Sequence, residues 1–574
     1  MASPLAAQIA PSYAPPKPAG KLLRLPIHQP RPSAQELIRQ FSQLKSQRSN
    51  WESHWQEVKD RVWPHSADFN TRRSSGTKRT EEMLDASAAL ALEKFAAALE
   101  SLLTPRQQQW HKLQAMDEEL ADDPQVKAWL ELATKWLFRV RAAPGAGYYA
   151  HAHEGYKSLG AYGNTCMFVE AHSGGGLRYS HVPIAKAYVA LNQFGAIDTI
   201  FKCYRMTAKQ AFQTWGERAP EKARQTLASN PWQELEYLHV VRPNGWRDPQ
   251  AIGPRGMAWE SVHLCLDSQE IIDIGGYAQL PYLFSRYTVN PDESYGRGPA
   301  MLVLSNIKIL QEQQKTFLRA GHKLVDPPLL VHDEGVLGTG GKVIRLTPGG
   351  VNYGGVNAAG RPLIQALQTG GRLDLTFEMM ERERETINEA FLVTLFQILV
   401  QNPQMTATEA LIRAQEKGQL LAPAVGRQQS ELLGPQIHRE LWLGLNSGEL
   451  PPPPEELTSY EVEYESPATQ YQKAATLVAI QRTVEVAAPG LQADPGLMQK
   501  FKWDKIIDEA ASAQGVPLEL IRTEEEYAEA RAAYDQAQAA QQAIAMGQGV
   551  AAGVKDMAAA APMMQQAGAA GAVA

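Results

Sequence analysis

The chain has 574 residues, 44% of them hydrophobic and 21% charged, proportions that belong to a protein folding in water rather than to a disordered chain. Its 56 Lys plus Arg against 62 Asp plus Glu leave a net charge of −6, which excludes a protein that grips nucleic acid over its whole surface. The length exceeds one ordinary core, and three cysteines, Cys166, Cys203 and Cys265, are too few for a disulfide framework and read as buried thiols suited to a reducing cytoplasm.

Residues 1–33 hold eight prolines, four Lys or Arg and no acid, and read as a flexible arm whose apolar runs are too short for a signal peptide. Ala34 to Trp63 reads as a polar amphipathic helix stopped by Pro64, and Phe69 to Thr80 as a basic loop carrying Arg72, Arg73, Lys78 and Arg79. Leu84, Ala88, Leu92, Phe95, Leu99 and Leu102 recur at helical spacing, which predicts a helix over Glu81 to Leu103 buried along one face and ended at Thr104-Pro105. From Met167 to Tyr204, short β-rich runs alternate with Gly174-Gly175-Gly176 and a turn at Gln193-Phe194-Gly195, the pattern of antiparallel strands. Met206 to Trp215 returns to helix, and Val262 to Ile274 and Tyr282 to Val289 extend the strands. The first half is therefore expected to be α+β with helices outside strands.

Gly298-Pro299 opens a long helical stretch to about Lys323, because proline is tolerated in a first turn and none follows before Pro327. Val303, Ile307, Leu310, Phe317 and Leu324 fall on one side. A second stretch of similar length runs from Arg372 to Phe396, with Leu373, Phe377, Met380, Ile387 and Phe391 on one side. Between them, Asp326 to Gly371 holds Gly, Pro and short β runs: Leu329 to Val331, Lys342 to Leu346 and Gly349 to Tyr353. The arrangement is helix, small β tip, helix. A third helical region runs from near Thr406, with a break at Pro423, to about Trp442, and Pro451 to Pro454 stop it. Tyr460, Val462 and Tyr464 then alternate with glutamates at the period of a half-exposed strand. From Ala537 to Ala574, 16 of 38 residues are alanine, a low-complexity tail that is helical or disordered. The most apolar run, Phe391 to Val400, is half the roughly twenty residues a membrane helix needs, so no membrane span is expected.

Enzyme chemistry finds no foothold. Gly338-Thr339-Gly340-Gly341-Lys342 comes nearest to a phosphate loop, but Val343 stands where Ser or Thr is required and Val336 where the leading Gly should be. His151, His153 and Cys166 lack a second paired set for a metal and read as incidental histidines in a loop. Glu381, Glu383 and Glu385 alternate with Arg382 and Arg384, the pattern of a solvated helix face. No nucleophile signature appears, and no cofactor or metal site is expected. More informative is a stripe of Lys308, Glu312, Lys315, Arg319 and Lys323 at helical spacing. It could meet DNA phosphates or a neighbouring subunit, or be a wetted face.

The run Asp292-Glu293-Ser294-Tyr295-Gly296-Arg297-Gly298-Pro299-Ala300-Met301, followed by Asn306-Ile307-Lys308, Lys315 and Val325-Asp326-Pro327-Pro328, resembles the signature of the head-to-tail connector, or portal, family of short-tailed bacteriophages. Its centre is Tyr295, Gly296, Arg297 and Pro299. Leu103-Thr104-Pro105 with Trp110, the Phe194-Gly195 strand pair with Arg205 and Phe212 to Gly216, and Met405 to Glu409 with Arg413 and Glu416 also resemble that family in order, from about Thr80 to Ile480. The resemblance implies an α+β, mostly helical portal architecture. In it, 34–296 and 406–480 form the wing, 297–323 and 372–396 the two-helix stem, and 324–371 the clip. A tunnel loop at 397–405 would include Gln401, Asn402 and Gln404, and 481–536 would be the crown, with 537–574 as tail. It also implies a structural protein, not an enzyme, that forms a ring of twelve at one capsid vertex and acts as a channel for DNA packaging and ejection. Its partners would be non-specific double-stranded DNA, the large terminase as packaging motor, tail adaptor proteins, and major capsid or scaffolding protein, in a virion assembled in the host cytoplasm. The alternatives are another virion or tail-adaptor protein, or a packaging nuclease or ATPase.

Overall fold

The computed structural model describes residues 33–331 except 72, 75, 118, 119, 121, 122 and 173, then 356, 359–362, 364–367, 373–393, 425–457 and 459–464, and a few helical positions between 506 and 537. The chain divides into two compact units, Met1–Ala121 with Trp129–Ala468, and Asp122–Ala128 with Thr469–Ala574. In the second unit the described residues are helical, chiefly 529–534. The account below concerns the first.

Ala34–Gln47 (α1) and Ser49–Val62 (α2) are two helices where the periodicity predicts one. The interruption lies at Arg48, a buried cation whose guanidinium bonds Glu52 at 2.6 Å and the carbonyls of Ile184, Ala185 and Ala187 at 3.0, 3.1 and 2.6 Å. A buried charge needs such partners, and they come from a distant part of the chain that helical spacing does not report. In the basic loop, Arg73 pairs with Asp60 and Arg79 with Asp68, so these two cations answer acids outside it.

Ser87–Leu103 (α3) starts later than Glu81: the Asp85 carboxylate accepts the Ser87 N–H at 2.8 Å in a turn that leads into the first helical residue. His111–Ala115 (β1), Pro124–Ala142 (α4) and Tyr148–Tyr162 (α5) follow. His151 and His153 therefore stand on helix α5, not in a loop, bonded to Glu154 and Glu100. Asn164–Ala171 (β2), Leu177–His181 (β3) and, later, Tyr282–Arg286 (β9) make a three-stranded antiparallel sheet in the order β3-β2-β9. Cys166 lies inside it, its thiol pushed up to about 12 by burial.

Ala187–Leu191 (β4), Ile197–Thr207 (β5), Glu234–Pro243 (β6), Trp259–Cys265 (β7) and Glu270–Tyr277 (β8) form a five-stranded antiparallel sheet in sequence order. The predicted hairpin turns at Asn192–Ala196, with Gly195 at φ 76° and the Asn192 side chain accepting the N–H groups of Phe194 and Ala196. Ala208–Trp215 (α6), opened by a capping box of Thr207 and Gln210, and Glu221–Ser229 (α7) cover one face over Leu235, Tyr237 and Cys265. Leu37 and Phe41 of α1 cover the other, against Phe201, Leu238, Val240, Val262 and Leu264. Side-chain alternation along β6 explains the division: Leu235 and Tyr237 face one way, Leu238 and Val240 the other.

Pro299–Leu302 (α8), Leu304–Val325 (α9), Leu329–Val331 (β10), Ile364–Ala366 (β11) and Leu373–Ala390 (α10) come next. A π-turn at Gln429–Leu433 leads into Gly434–Ser447 (α11), which passes the expected end at Trp442 and stops where Gly448 takes φ 75°. Tyr460–Tyr464 (β12) is the alternating strand, paired antiparallel with β1. The fold is mixed α and β, as expected.

Charge is buried at the junction of four elements. The fully buried side chains of Arg141 on α4 and Glu440 on α11 bond at 2.5 and 3.0 Å. Glu440 also accepts from the Tyr179 hydroxyl of β3 at 2.7 Å and from Gln436 at 2.8 Å, while Arg141 meets His111 Nε2 of β1 at 2.6 Å. Burial and then the Arg141 charge hold His111 well below its ordinary pKa, so its ring stays neutral and accepts from the guanidinium. A second set stacks across β6 and β7: His239 and His263 lie 4.0 Å apart and 6° from parallel, with His239 bonded to the Tyr282 hydroxyl at 2.6 Å and to Ser261 at 2.9 Å. Burial lowers both, His263 to about 4, and it lowers His181 to about 4 as well.

Two outcomes follow from these interiors. Glu440→Ala, which strands a buried guanidinium, is expected to lower unfolding free energy by about 3–5 kcal/mol in a denaturant titration. Arg205→Ala, which breaks the exposed pair with Glu236, should cost less than about 1 kcal/mol. The histidines whose folded pKa is depressed bind protons more readily unfolded, so their contribution is fully present above pH 6.5 and is lost as pH falls towards 4, by up to about 1.4 kcal/mol per pH unit for each. Melting temperature should fall across that window, and His263→Gln should flatten the fall; a profile level from pH 7 to 4.5 would contradict this assignment.

Candidate functional site

The signature run folds into a tight knuckle. Tyr287 leaves β9 with its N–H on the Gly163 carbonyl, and Thr288 and Arg297 then form an antiparallel bridge, Arg297 N–H to Thr288 O at 2.7 Å. Tyr295 turns inward among Trp51, Trp55 and Phe284, with ring centroids 5.9, 5.2 and 6.3 Å away, and its oxygen accepts the Val189 N–H at 3.2 Å. Burial raises its pKa. Gly296 exchanges two bonds with one side chain: its N–H donates to Asn164 Oδ1 at 2.7 Å and its carbonyl accepts from Asn164 Nδ2 at 3.0 Å.

Glycine is demanded here by backbone lying on backbone. A Cβ on Gly298 would stand 2.7 Å from both the Gly163 nitrogen and the Leu159 carbonyl, one on Gly296 would stand 2.6 Å from the Gly163 carbonyl, and Gly163 itself sits at φ 71° against Arg297. Arg297 points out, bonded to Glu293 at 2.6 Å and lying 4.9 Å over the Trp51 ring. Pro299 begins α8 with its ring buried. Tyr295, Gly296, Arg297 and Pro299 are thus brought together as an architectural joint that sets where the following helices start.

Those helices depart from the expected single rods. Val303 separates α8 from α9, and α10 ends at Ala390, short of Phe396, with Leu392 in the left-handed region at φ 58°. α9 and α10 pack together. Val303, Ile307 and Leu310 are buried, as are Met380, Ile387 and Phe391, but Phe317 is only half-buried and Leu324 and Phe377 are exposed. Ile309, Leu318, Val325, Leu375 and Met379 are exposed too. The apolar faces of both helices therefore continue past the part of the protein that covers them.

At the covered end, α9 and α10 hold the start of α3 between them. Gln311 of α9 accepts the N–H groups of Leu84 and Asp85 at 2.6 and 2.9 Å and donates to the Asp85 carbonyl at 2.8 Å. Arg384 of α10 donates to the Asp85 carboxylate at 2.8 Å, and Asn306 donates to Glu383 at 2.9 Å. Burial works against the charge on Asp85, yet the bonds from Ser87 and Arg384 outweigh it and leave its carboxyl below the ordinary range. The expected solvated Glu-Arg face is corrected to this extent: Glu383 and Arg384 face neighbours, because the buried carboxylate at Asp85 requires a cation. Asn164, Gln311 and Asp85 were not singled out in the sequence.

The cationic stripe divides. Lys308 pairs with Glu57 of α2, and Lys315 reaches Glu312 at 3.4 Å, whereas Arg319 and Lys323 are exposed and have no ion-pair partner among the described residues. Leu329–Val331 pairs antiparallel with Ile364–Ala366, so the ends of the segment between the helices close as a β tip. Gln401, Asn402 and Gln404, the phosphate-loop candidate at Gly338 to Lys342, Met405 to Glu409 with Arg413 and Glu416, the break at Pro423 and most of 481–536 lie outside the described residues.

These features define a mixed α and β protein in which a packed helix pair is anchored at one end by the knuckle and Asp85 and joined at the other by paired strands. A family model for the bacteriophage head to tail connecting protein matches residues 34–521, and the chain belongs to that family. It is 29% identical over 526 residues to the probable portal protein of Bordetella phage BPP-1, covering 89% of this chain and 93% of that one. It is likewise 29% identical over 537 residues to the portal protein of Salmonella phage epsilon15, covering 91% and 95%. A solved structure described as the neck of an empty GTA particle computed with C6 symmetry aligns with 72% of this chain and 90% of its own at 10% identity, with a TM-score of 0.34, too low to bear on the fold.

The knuckle makes a direct prediction. Gly298→Ala and Gly163→Ala should each cost about 3 kcal/mol or more, or prevent folding, by thermal melting. Gly321→Ala on α9, where a Cβ meets nothing within 4 Å, should instead stabilise by up to about 1 kcal/mol.

Proposed function

We propose that this chain is the portal subunit of a bacteriophage, a virion component that assembles into a ring of twelve at one capsid vertex and forms the channel through which DNA is packaged and ejected. The observation that carries this reading is the helix pair α9 and α10 bracketing a β tip, anchored at one end by the knuckle and by Asp85, with apolar side chains exposed beyond. A single chain gains nothing by exposing Leu318, Leu324, Val325, Phe377 and Met379; copies packed side by side in a ring would cover them.

In this reading the stem is 297–323 with 372–396, the clip 324–371, the wing 34–296 with 406–480, and the crown 481–536. The loop 397–405, with Gln401, Asn402 and Gln404, narrows the tunnel. The packaging motor, the large terminase, docks at the clip and is replaced by tail adaptor proteins, while major capsid or scaffolding protein meets the outer surface. The net charge of −6 suits a conduit, because walls that bind phosphate weakly let a duplex slide without sequence readout. The protein does this as a structural part and not as a catalyst.

Purified protein should form closed rings without nucleotide, with a mass by mass photometry many times the 63.2 kDa of one chain; monomers and dimers alone at micromolar concentration would overturn the proposal. Lys315→Glu combined with Arg319→Glu should leave rings intact and lower the amount of DNA packaged. Rings that fall apart would assign the stripe to subunit contact instead.

A further inference from the structure

The five-stranded sheet has two edges, and they are finished differently. The outer edge of β4 is closed by side chains: the Tyr295 oxygen takes the Val189 N–H at 3.2 Å, and Arg48 takes the Ala187 carbonyl at 2.6 Å. At the opposite edge, β8 pairs with β7 from Trp259 and Tyr277 to Cys265 and Glu270, and among the described residues no group outside the sheet bonds the backbone of 270–277. Exposed edges are ordinarily blunted by proline, lysine, a bulge or a covering element; of these β8 carries a single bulge, at Ile272, where its register with His263 and Leu264 shifts. β8 reads Glu-Ile-Ile-Asp-Ile-Gly-Gly-Tyr, eight residues with three isoleucines and neither proline nor lysine. Beside it lies an open cleft of about 490 Å³, lined by Ile272 and Ile274 of the strand, by Trp246 and Ile252, and by Arg218 and Arg255. Ile252 is fully exposed, and the Arg218 side chain is 78% exposed, 3.8 Å from Asp273, the single acid in the lining.

We propose that β8 is a docking edge to which an extended, acidic segment of another protein adds as a sixth strand. An open ladder supplies the main-chain hydrogen bonds, the isoleucines and Trp246 receive alternate apolar side chains, and two arginines against one aspartate favour carboxylates on the incoming strand. The occupant is a different chain rather than a second copy. Pairing of β8 with β8 is isologous and closes at two, whereas a larger ring needs two different surfaces. The other edge of this sheet, β4, is closed by Arg48 and Tyr295, so the five-stranded sheet does not continue from copy to copy through β4. This exclusion of a second copy rests on the ring reading above; the strand addition itself does not.

The test is hydrogen exchange by mass spectrometry on the assembled protein, with millimolar probe: a seven-residue capped peptide alternating valine with aspartate and threonine, and the same peptide with lysine for aspartate. The acidic probe should slow exchange in 270–277 at least tenfold and leave 187–191 unchanged, while the lysine probe does not. Arg218→Glu with Arg255→Glu, both on the surface, should abolish the effect of the acidic probe. No slowing with either probe, or equal slowing with both, overturns the proposal. Slowing without probe that grows with protein concentration assigns the edge to a second copy and overturns it too. Ring assembly is read on the same samples by mass photometry, so a failure of strand addition is distinguishable from a failure of the ring.

Discussion

Where Gly163 passes Gly296 and Gly298, two stretches of main chain lie in direct contact, and nothing larger than hydrogen fits between them. Asn164 reads both polar groups of Gly296 at that crossing, which satisfies a buried peptide that would otherwise be left without partners. Much of the architecture converges there. Gly163 ends α5, Asn164 begins β2, β9 arrives alongside β2, and the chain leaves the crossing through Pro299 into the helix pair. Tyr295, one residue before the crossing, reaches across to the edge of the five-stranded sheet. The start of the helix pair is therefore fixed relative to both sheets by a contact with no room for adjustment.

The same body is closed elsewhere by buried charge. Arg141 and Glu440 join α4 to α11 across most of the sequence, with His111 and Tyr179 completing the set, and β1 pairs with β12 beside them. Such a cluster adds little net stability over an apolar core, but it is intolerant of wrong pairings because any unmatched member is a buried charge. Arg48 plays a comparable part at the other side, binding three carbonyls that lead into β4. Long-range segments are thereby held in one arrangement.

The helix pair shows the complementary situation. Its covered end is specified by hydrogen bonds from Gln311 and Arg384 to Asp85 and by the burial of Ile307, Leu310 and Ile387, while its far end carries exposed leucines, a phenylalanine and two exposed cations, Arg319 and Lys323. A periodic apolar face predicts that something covers it, and within one chain Phe317 stays half-buried and Leu324 and Phe377 stay exposed.

Much of this was legible in the residues. Two-residue alternation marked β12, β-rich runs between glycine turns marked strands from Met167 to Tyr204, and three-to-four spacing marked α3, α9 and α10, because each signal is local; Tyr295-Gly296-Arg297-Gly298-Pro299 stood out by family resemblance, and β1 and β6 gave no signal. What only the tertiary structure decided was long-range: the break at Arg48, the placement of His151 and His153 on a helix, the inward turn of Glu383 and Arg384, and the pairing of β12 with β1. The break at Arg48 and the inward turn of Arg384 depend on a buried charge finding partners more than a hundred residues away, and β12 pairs with a strand about 350 residues earlier; periodicity carries no record of such partners. The requirement for glycine at 163, 296 and 298 belongs to both: the residue type stands in the sequence, but its reason is the backbone crossing, which exists only once the chain has folded.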